Sequence, residues 1–182
     1  HAGSPCRDGG EELGLHGPFD NTPAGRVAYE TICDGDALKL LGGFAPGAFD
    51  AVIAVDGGFA SLAAVDCAPD LAMGDFDSLG YVPEGMSVKA FSPEKDASDM
   101  ELALEEALAR GADAVEVYGA LGGRLDHTVA NLQLLASFAE RGLAVAAVGE
   151  RERIAFLVGP GELRLPALPS GIVSRTCQNC IL

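Results

Sequence analysis

The sequence predicts an α/β fold, a mostly parallel sheet flanked by helices in a Rossmann-like three-layer arrangement. Three observations lead there. From Arg26 to Gly149, short apolar runs alternate with Ala- and Leu-rich helical stretches, the order of βαβ units. A run such as Ala51-Val52-Ile53-Ala54-Val55 is apolar throughout, as a strand covered on both faces must be. The runs end in glycine or aspartate, the turn chemistry of strand ends. Beyond Gly149 the texture changes to short strand-like segments and a tail without alternation. The chain therefore divides into a disordered leader over 1–25, an α/β domain over 26–149, and the truncated start of an all-β lobe over 150–182.

In order, residues 51–55 form a buried strand that delivers Asp56-Gly57-Gly58, and 59–65 form a short helix. A second strand over 70–73 runs into Gly74-Asp75-Phe76-Asp77-Ser78, where glycine allows a tight turn. A third strand covers 87–91. Ser98-Asp99-Met100-Glu101 matches the capping box, so a helix starts there and continues to Arg110, where Gly111 stops it. A strand at 114–118 leads to Gly122-Gly123-Arg124, then a helix over 126–141 ended by Gly142, and a strand over 143–148. Segments 153–158 and 162–165, with Pro160-Gly161 between them, read as an antiparallel hairpin. In an open parallel sheet the ligand crevice lies outside the carboxyl ends of the strands, so the acidic and glycine-rich turns are expected to converge on one edge.

Composition limits the partners. The 182 residues are 48% hydrophobic and 21% charged, enough for one good core. Against 27 acidic residues stand 12 basic ones, a net charge of -15, which repels nucleic acid and anionic membrane surfaces. A nucleotide can approach only where basic groups, backbone amides or a cation override that field. Five scattered cysteines do not read as a disulfide framework, and a reducing, cytoplasmic setting fits them. Cys177-Gln-Asn-Cys180 stands alone near the chain end, without a second pair to make a zinc site. No apolar run reaches membrane-spanning length. The Gly-, Pro- and Asp-rich start lacks the pattern of a secretory signal, and the first residue, His1, suggests a fragment or processed product.

Neither a Walker A loop nor a GxGxxG fingerprint is present, so phosphate chemistry must be organised differently. Asp75 and Asp77 are carboxylates one residue apart on a turn and can face one hard cation. Alone, such a turn is more often a solvated loop. Asp96 and Asp99 supply a second acidic pair after another strand, and Asp126 a third site after yet another. Carboxylates gathered at one edge repel one another unless a cation relieves them, and magnesium is the natural relief. Lys95 and Arg124 are suited to phosphate oxygens, though plain ion pairs with Asp96 and Asp126 would also account for them. Ser98 is explained by its cap, yet a capped helix start also offers amides to a phosphate. His127 and Asn131 share one helix face. His127 is expected to orient the loop or Asp126 and not to act as a base.

Taken in order, Asp56-Gly57-Gly58, Pro69-Asp70 leading to Gly74-Asp75-Phe76-Asp77-Ser78, Lys95-Asp96-Ala97-Ser98-Asp99, and Gly122-Gly123-Arg124-Leu125-Asp126-His127 with Asn131 resemble the thiamine pyrophosphokinase family over 50–150. The resemblance implies transfer of a diphosphate from ATP to the hydroxyl of thiamine, with AMP released and magnesium required. It implies Asp75, Asp77 and Asp99 as metal-binding carboxylates, and these with Arg124 as the catalytic set. For nucleotide contacts it implies Asp56, Gly57, Gly58, Ser78, Lys95, Asp96, Ser98, Gly122, Gly123, Asp126, His127 and Asn131. It also implies a cytoplasmic homodimer in which a β-sandwich lobe helps to form the thiamine site.

Departures from the family pattern are Ser98 where threonine is usual, a weak match before Ala51, and only the start of the lobe near Arg153 with no tryptophan to meet a thiamine ring. Two rivals keep the same residues: a related diphosphokinase acting on a hydroxymethylpterin, and an inactive nucleotide-binding or dimerisation remnant. A phosphatase using Asp75 or Asp77 as nucleophile would not need the later acidic clusters.

Overall fold

The structure is a computed structural model that describes residues 29–34 (backbone), 41, 44, 48–77, 79–92 and 97–159. Seven strands and three helices follow in the order β1 (Tyr29–Asp34), β2 (Ala51–Val55), α1 (Gly58–Ala63), β3 (Leu71–Gly74), β4 (Val88–Ala90), α2 (Asp99–Ala109), β5 (Ala114–Tyr118), α3 (Leu125–Glu140), β6 (Ala144–Val148) and β7 (Arg153–Ala155). They build one sheet ordered β4-β3-β2-β1-β5-β6-β7, parallel except for β7.

The expected strands and helices are present, with ends shifted by one or two residues. Two findings differ. β1, which the sequence reading left unassigned, lies at the centre of the sheet between β2 and β5. Its composition, with Glu30, Thr31 and Asp34, hides it, because a central parallel strand normally reads as an unbroken apolar run. Arg153–Ala155, read from the sequence as part of the first strand of a hairpin, pairs antiparallel with Ala146, Ala147 and Val148 of the main sheet, a contact the sequence reading did not include. The expected partner strand at 162–165 lies outside the described residues, as do the leader over 1–25, Cys177 and Cys180.

The alternation of side chains along each strand makes two cores. On one face Ile53, Val55, Leu71, Met73, Val115, Val117 and Val145 meet Met100, Leu104 and Ala107 of α2 and Leu135 and Phe138 of α3. On the other, Val52, Ala54 and Ala72 meet Leu62 of α1, with Cys67 and Phe76. Helices thus cover both faces, as strands apolar on both sides demand. Each fully buried Ile, Leu or Val contributes about 1.5–3 kcal/mol. Cys67 is disulfide-bonded, which the scattered spacing of the cysteines does not suggest.

Local chemistry sets the helix limits. Ser98 caps α2 as the capping box requires, with φ -71° and ψ 156° and its side chain accepting from the Glu101 amide at 3.2 Å. Arg141, just past α3, donates to both carboxylate oxygens of Glu105 on α2 at 2.6 and 2.8 Å, and its guanidinium stacks 4.3 Å from the centre of the Phe138 ring. At the amino ends of the strands, Val52 N–H donates to the Asp70 carboxylate and Asp70 N–H to the Val52 carbonyl, both at 2.8 Å. Asp70 therefore serves the sheet.

The strand order reverses at β1: the chain moves outward through β2, β3 and β4, then crosses by α2 to β5 on the other side. The crevice of such a sheet opens at that switch point, outside the carboxyl ends. Among the described residues no helix is long and apolar enough to cross a membrane.

Candidate functional site

Asp56 leaves β2 at its carboxyl end, its amide still bonded to the Met73 carbonyl at 2.9 Å. Its φ of 43° lies in the left-handed region, which aspartate tolerates better than most residues. That turn sends its carboxylate across the end of β3, where Oδ1 accepts from the Phe76 amide at 3.4 Å. Phe76 also has positive φ, 57°, and its ring is buried in the α1-side core. Burial of the ring offsets the strain of a backbone that turns its amide toward Asp56.

Asp75 is half-buried beside it, one of its oxygens accepting from the Asp77 amide at 3.1 Å, a tight Asx turn. Asp99, half-buried, is the first residue of α2. The Asp56 carboxyl is pushed up to about 6 from an ordinary 3.8, first by burial, then by the Asp99 charge. The Phe76 amide opposes the rise, while a hydrogen bond shared with Asp99 and the charge of Asp75 add to it. Carboxylates from β2, from the β3 turn and from the start of α2 thus face one another, with no side-chain cation among the causes acting on Asp56.

Among the described residues no three His, Cys, Asp or Glu side chains come together closely enough to enclose a metal ion by themselves. Magnesium asks for less: one or two carboxylates, with phosphate oxygens and water completing the shell. A hydrogen-bonded carboxylate pair with a third acid nearby, at the amino end of a helix, fits that requirement.

The remaining predicted residues divide. Asp77 is exposed. Arg124 donates to Asp126 through Nε at 3.1 Å and through a terminal nitrogen at 2.5 Å, the plain ion pair weighed from the sequence. That contact, first among its causes, holds the Asp126 carboxyl below the usual range. His127 is exposed beside it. Gly122 and Gly123 have φ of 93° and 65° and stand in the open, so their backbone is free to approach a ligand. Asn131 Nδ2 donates to the Ala120 carbonyl at 3.0 Å and pins the loop. Gly57 is the N-cap residue of α1 and Gly58 is buried as its first residue. Ser98 sits exposed at the start of α2, next to Asp99. Ser78, Lys95 and Asp96 lie outside the described residues.

Sequence reasoning missed Thr128, whose hydroxyl donates toward the Gly122 carbonyl at 3.1 Å and the Arg124 carbonyl at 3.3 Å. A threonine four residues into the helix that follows two glycines was the available signal. Asp56, expected among the nucleotide contacts, lies against Asp99 in the cluster, its carboxyl raised first by burial. Only the reach of a turn from β2 over β3 reveals that.

Residues 47–147 match the family model described as thiamin pyrophosphokinase, catalytic domain. Thiamine pyrophosphokinase of Bacillus subtilis strain 168 is 33% identical over 116 residues, which are 60% of this chain and 54% of that protein. A solved thiamin pyrophosphokinase family protein from Enterococcus faecalis superposes with a TM-score of 0.58 at 29% identity, covering 69% of this chain and 62% of that one. The thiamine pyrophosphokinase structure from Bacillus subtilis gives 0.54 at 26% identity, over 69% and 62%. This chain spans about half the length of the curated relative it matches.

Proposed function

Since this chain belongs to the thiamin pyrophosphokinase catalytic-domain family, we propose that it transfers a diphosphate from ATP to the hydroxyl of thiamine, giving thiamine diphosphate and AMP with magnesium. The observation that carries this reading is the meeting of Asp56, Asp75 and Asp99 at the carboxyl edge of the sheet, where burial first, and then the charge of Asp99, raises Asp56. A site with that charge, in a chain of net charge -15, receives a nucleotide's phosphates only with a cation between them.

Asp75, Asp77 and Asp99 are the groups that would hold magnesium, with Asp56 against Asp99. Magnesium bound there supplies charge neutralisation to the phosphate oxygens as diphosphate passes from AMP to the acceptor. The chain's own part is placement. The start of α2, next to Asp99, presents the positive end of its helix dipole to a phosphate. Arg124 exchanges Asp126 for a phosphate oxygen, Lys95 supplies a second positive charge, and Gly122 and Gly123 let backbone amides close on the phosphates. With a loose transition state, such positioning and charge stabilisation provide most of the acceleration. The reading carries with it a cytoplasmic homodimer as the working form.

The test is AMP release by purified chain supplied with magnesium and ATP, with thiamine, with a hydroxymethylpterin, or with neither. Thiamine-dependent AMP supports the proposal. Pterin-dependent AMP moves the acceptor, and ATP binding without AMP under any acceptor leaves a nucleotide-binding remnant.

A further inference from the structure

Gly74 closes β3, with its carbonyl accepting from the Phe91 amide at 3.0 Å. A Cβ built on it would lie 1.8 Å from Asp56 Oδ1 and 2.7 Å from Asp56 Cγ, overlaps no real side chain tolerates. The next atom, the Asp56 amide nitrogen, is at 3.3 Å, a tight approach that a shift of a few tenths of an ångström relieves. The obstruction is therefore almost wholly the Asp56 carboxylate. The positive φ of Gly74, 143°, is a separate demand of the backbone for glycine, and the two can be told apart.

We infer that Gly74 is a positioning residue whose missing side chain is the seat of the Asp56 carboxylate, and that this seat brings Asp56 against Asp99 and Asp75. The surroundings leave Asp56 little choice. Its backbone is fixed by the bond to Met73 and by its φ of 43°, and the Phe76 amide meets its Oδ1 from beyond Gly74. A methyl group at 74 would drive the carboxylate out of the line between the β3 turn and the start of α2. The acids at 75 and 99 would remain and lose the third.

The inference rests on the proposed function only in supposing that this cluster binds a divalent ion; the seat itself is a matter of packing. A double-mutant cycle on thermal unfolding tests it, using Gly74→Ala, Asp56→Ala and both together, with Mn2+ affinity by titration calorimetry as the second readout. We expect Gly74→Ala alone to lower the midpoint by about 6–10 °C, and by less than about half of that when Asp56→Ala is already present. Folding of the double variant where Gly74→Ala alone fails to fold supports the inference equally. Gly74→Ala and Asp56→Ala should each weaken Mn2+ binding about tenfold or more, with no further loss when combined. Wild-type protein that binds no Mn2+ yet shows the same thermal coupling would uphold the seat and sink the proposed function. Equal midpoint losses with and without the Asp56 carboxylate would overturn the inference. So would failure of both variants at 74 to fold, since the backbone alone would then dictate glycine.

Discussion

Asp56 and Asp99 share a hydrogen bond between their carboxyl groups across the gap from the end of β2 to the start of α2, a bond that lasts only while one of the two holds a proton. With its folded value raised to about 6 from 3.8, Asp56 binds more protons folded than unfolded throughout that interval. Its contribution to stability is thus complete below about 4 and lost as pH climbs through about 6. Asp56 is only partly buried, so the full shift must be discounted for solvent screening; the effect is about 1–2 kcal/mol. Glu105 and Glu106 act with the opposite sign, their carboxyls lowered mainly by bonds to Arg141 and Lys89, and they lose stability on acidification. The comparison of wild type with Asp56→Asn isolates the acid. Without divalent ions, the variant should unfold at higher temperature than wild type at pH 7.5 and at nearly the same temperature at pH 4. A constant difference across that range would remove Asp56 from the titrating cluster.

If the acids hold magnesium for phosphoryl chemistry, removing one leaves transition-state charge without its counterion. Asp77→Asn is expected to lower thiamine-dependent AMP formation at least about a hundredfold, the scale seen for single charge-stabilising groups. Asp99→Asn should do the same, while Asp126→Asn, which only frees Arg124 from its ion pair, should have a far smaller effect. Initial rates at saturating ATP and thiamine decide. An Asp77→Asn enzyme at full rate would leave Asp75, Asp99 and Asp56 as the functional set.

Much of this arrangement was legible because it is local. A capping box is read within four residues, and Ser98 caps α2 as expected. The strand of continuous apolar residues over Ala51–Val55 is buried at every position. The less legible parts depend on contacts distant in sequence. β1 takes its place in the sheet through partners 21 and more residues away, such as Glu30 with Ala51, and its own polar residues conceal it. Asp56 joins the cluster because a glycine 18 positions on leaves room for it, and no local pattern marks that relationship. The pairing of Arg153 with Val148 is likewise hidden, because a run of three residues does not announce its neighbour.

Ser98 offers a way to separate a structural from a catalytic part. Its side chain satisfies the Glu101 amide, and Ser98→Ala should cost about 1 kcal/mol, with Ser98→Gly closer to wild type. If the hydroxyl also contacts phosphate, both variants should raise the KM for ATP alike. Chemical denaturation beside steady-state kinetics tells the two apart. Ser98→Thr, the residue usual in the resembling family, should restore both properties; failure of threonine to restore the KM would confine Ser98 to capping.

Glu116 is buried at 4% exposure in the middle of β5, where an isolated charge would be costly. Arg153 on β7 reaches across β6 to bind one of its oxygens, and the Tyr118 hydroxyl donates to the other at 2.9 Å. The short antiparallel strand is thereby tied to the sheet by an ion pair as well as by its ladder with β6. Truncating the arginine strands the glutamate, a change that costs about 3–5 kcal/mol for fully buried pairs. Arg153 is partly exposed and Tyr118 remains, so Arg153→Ala should cost nearer about 2 kcal/mol. Arg153→Met combined with Glu116→Gln removes both charges and should recover most of that loss. Hydrogen exchange should then report faster opening of residues 153–155 in Arg153→Ala, with the amides of β2 and β5 unchanged. Equal destabilisation by the single and the double variant would mean that the ion pair itself, absent from both, secures β7 to the sheet, and that the stranded charge of Glu116 accounts for little of the loss.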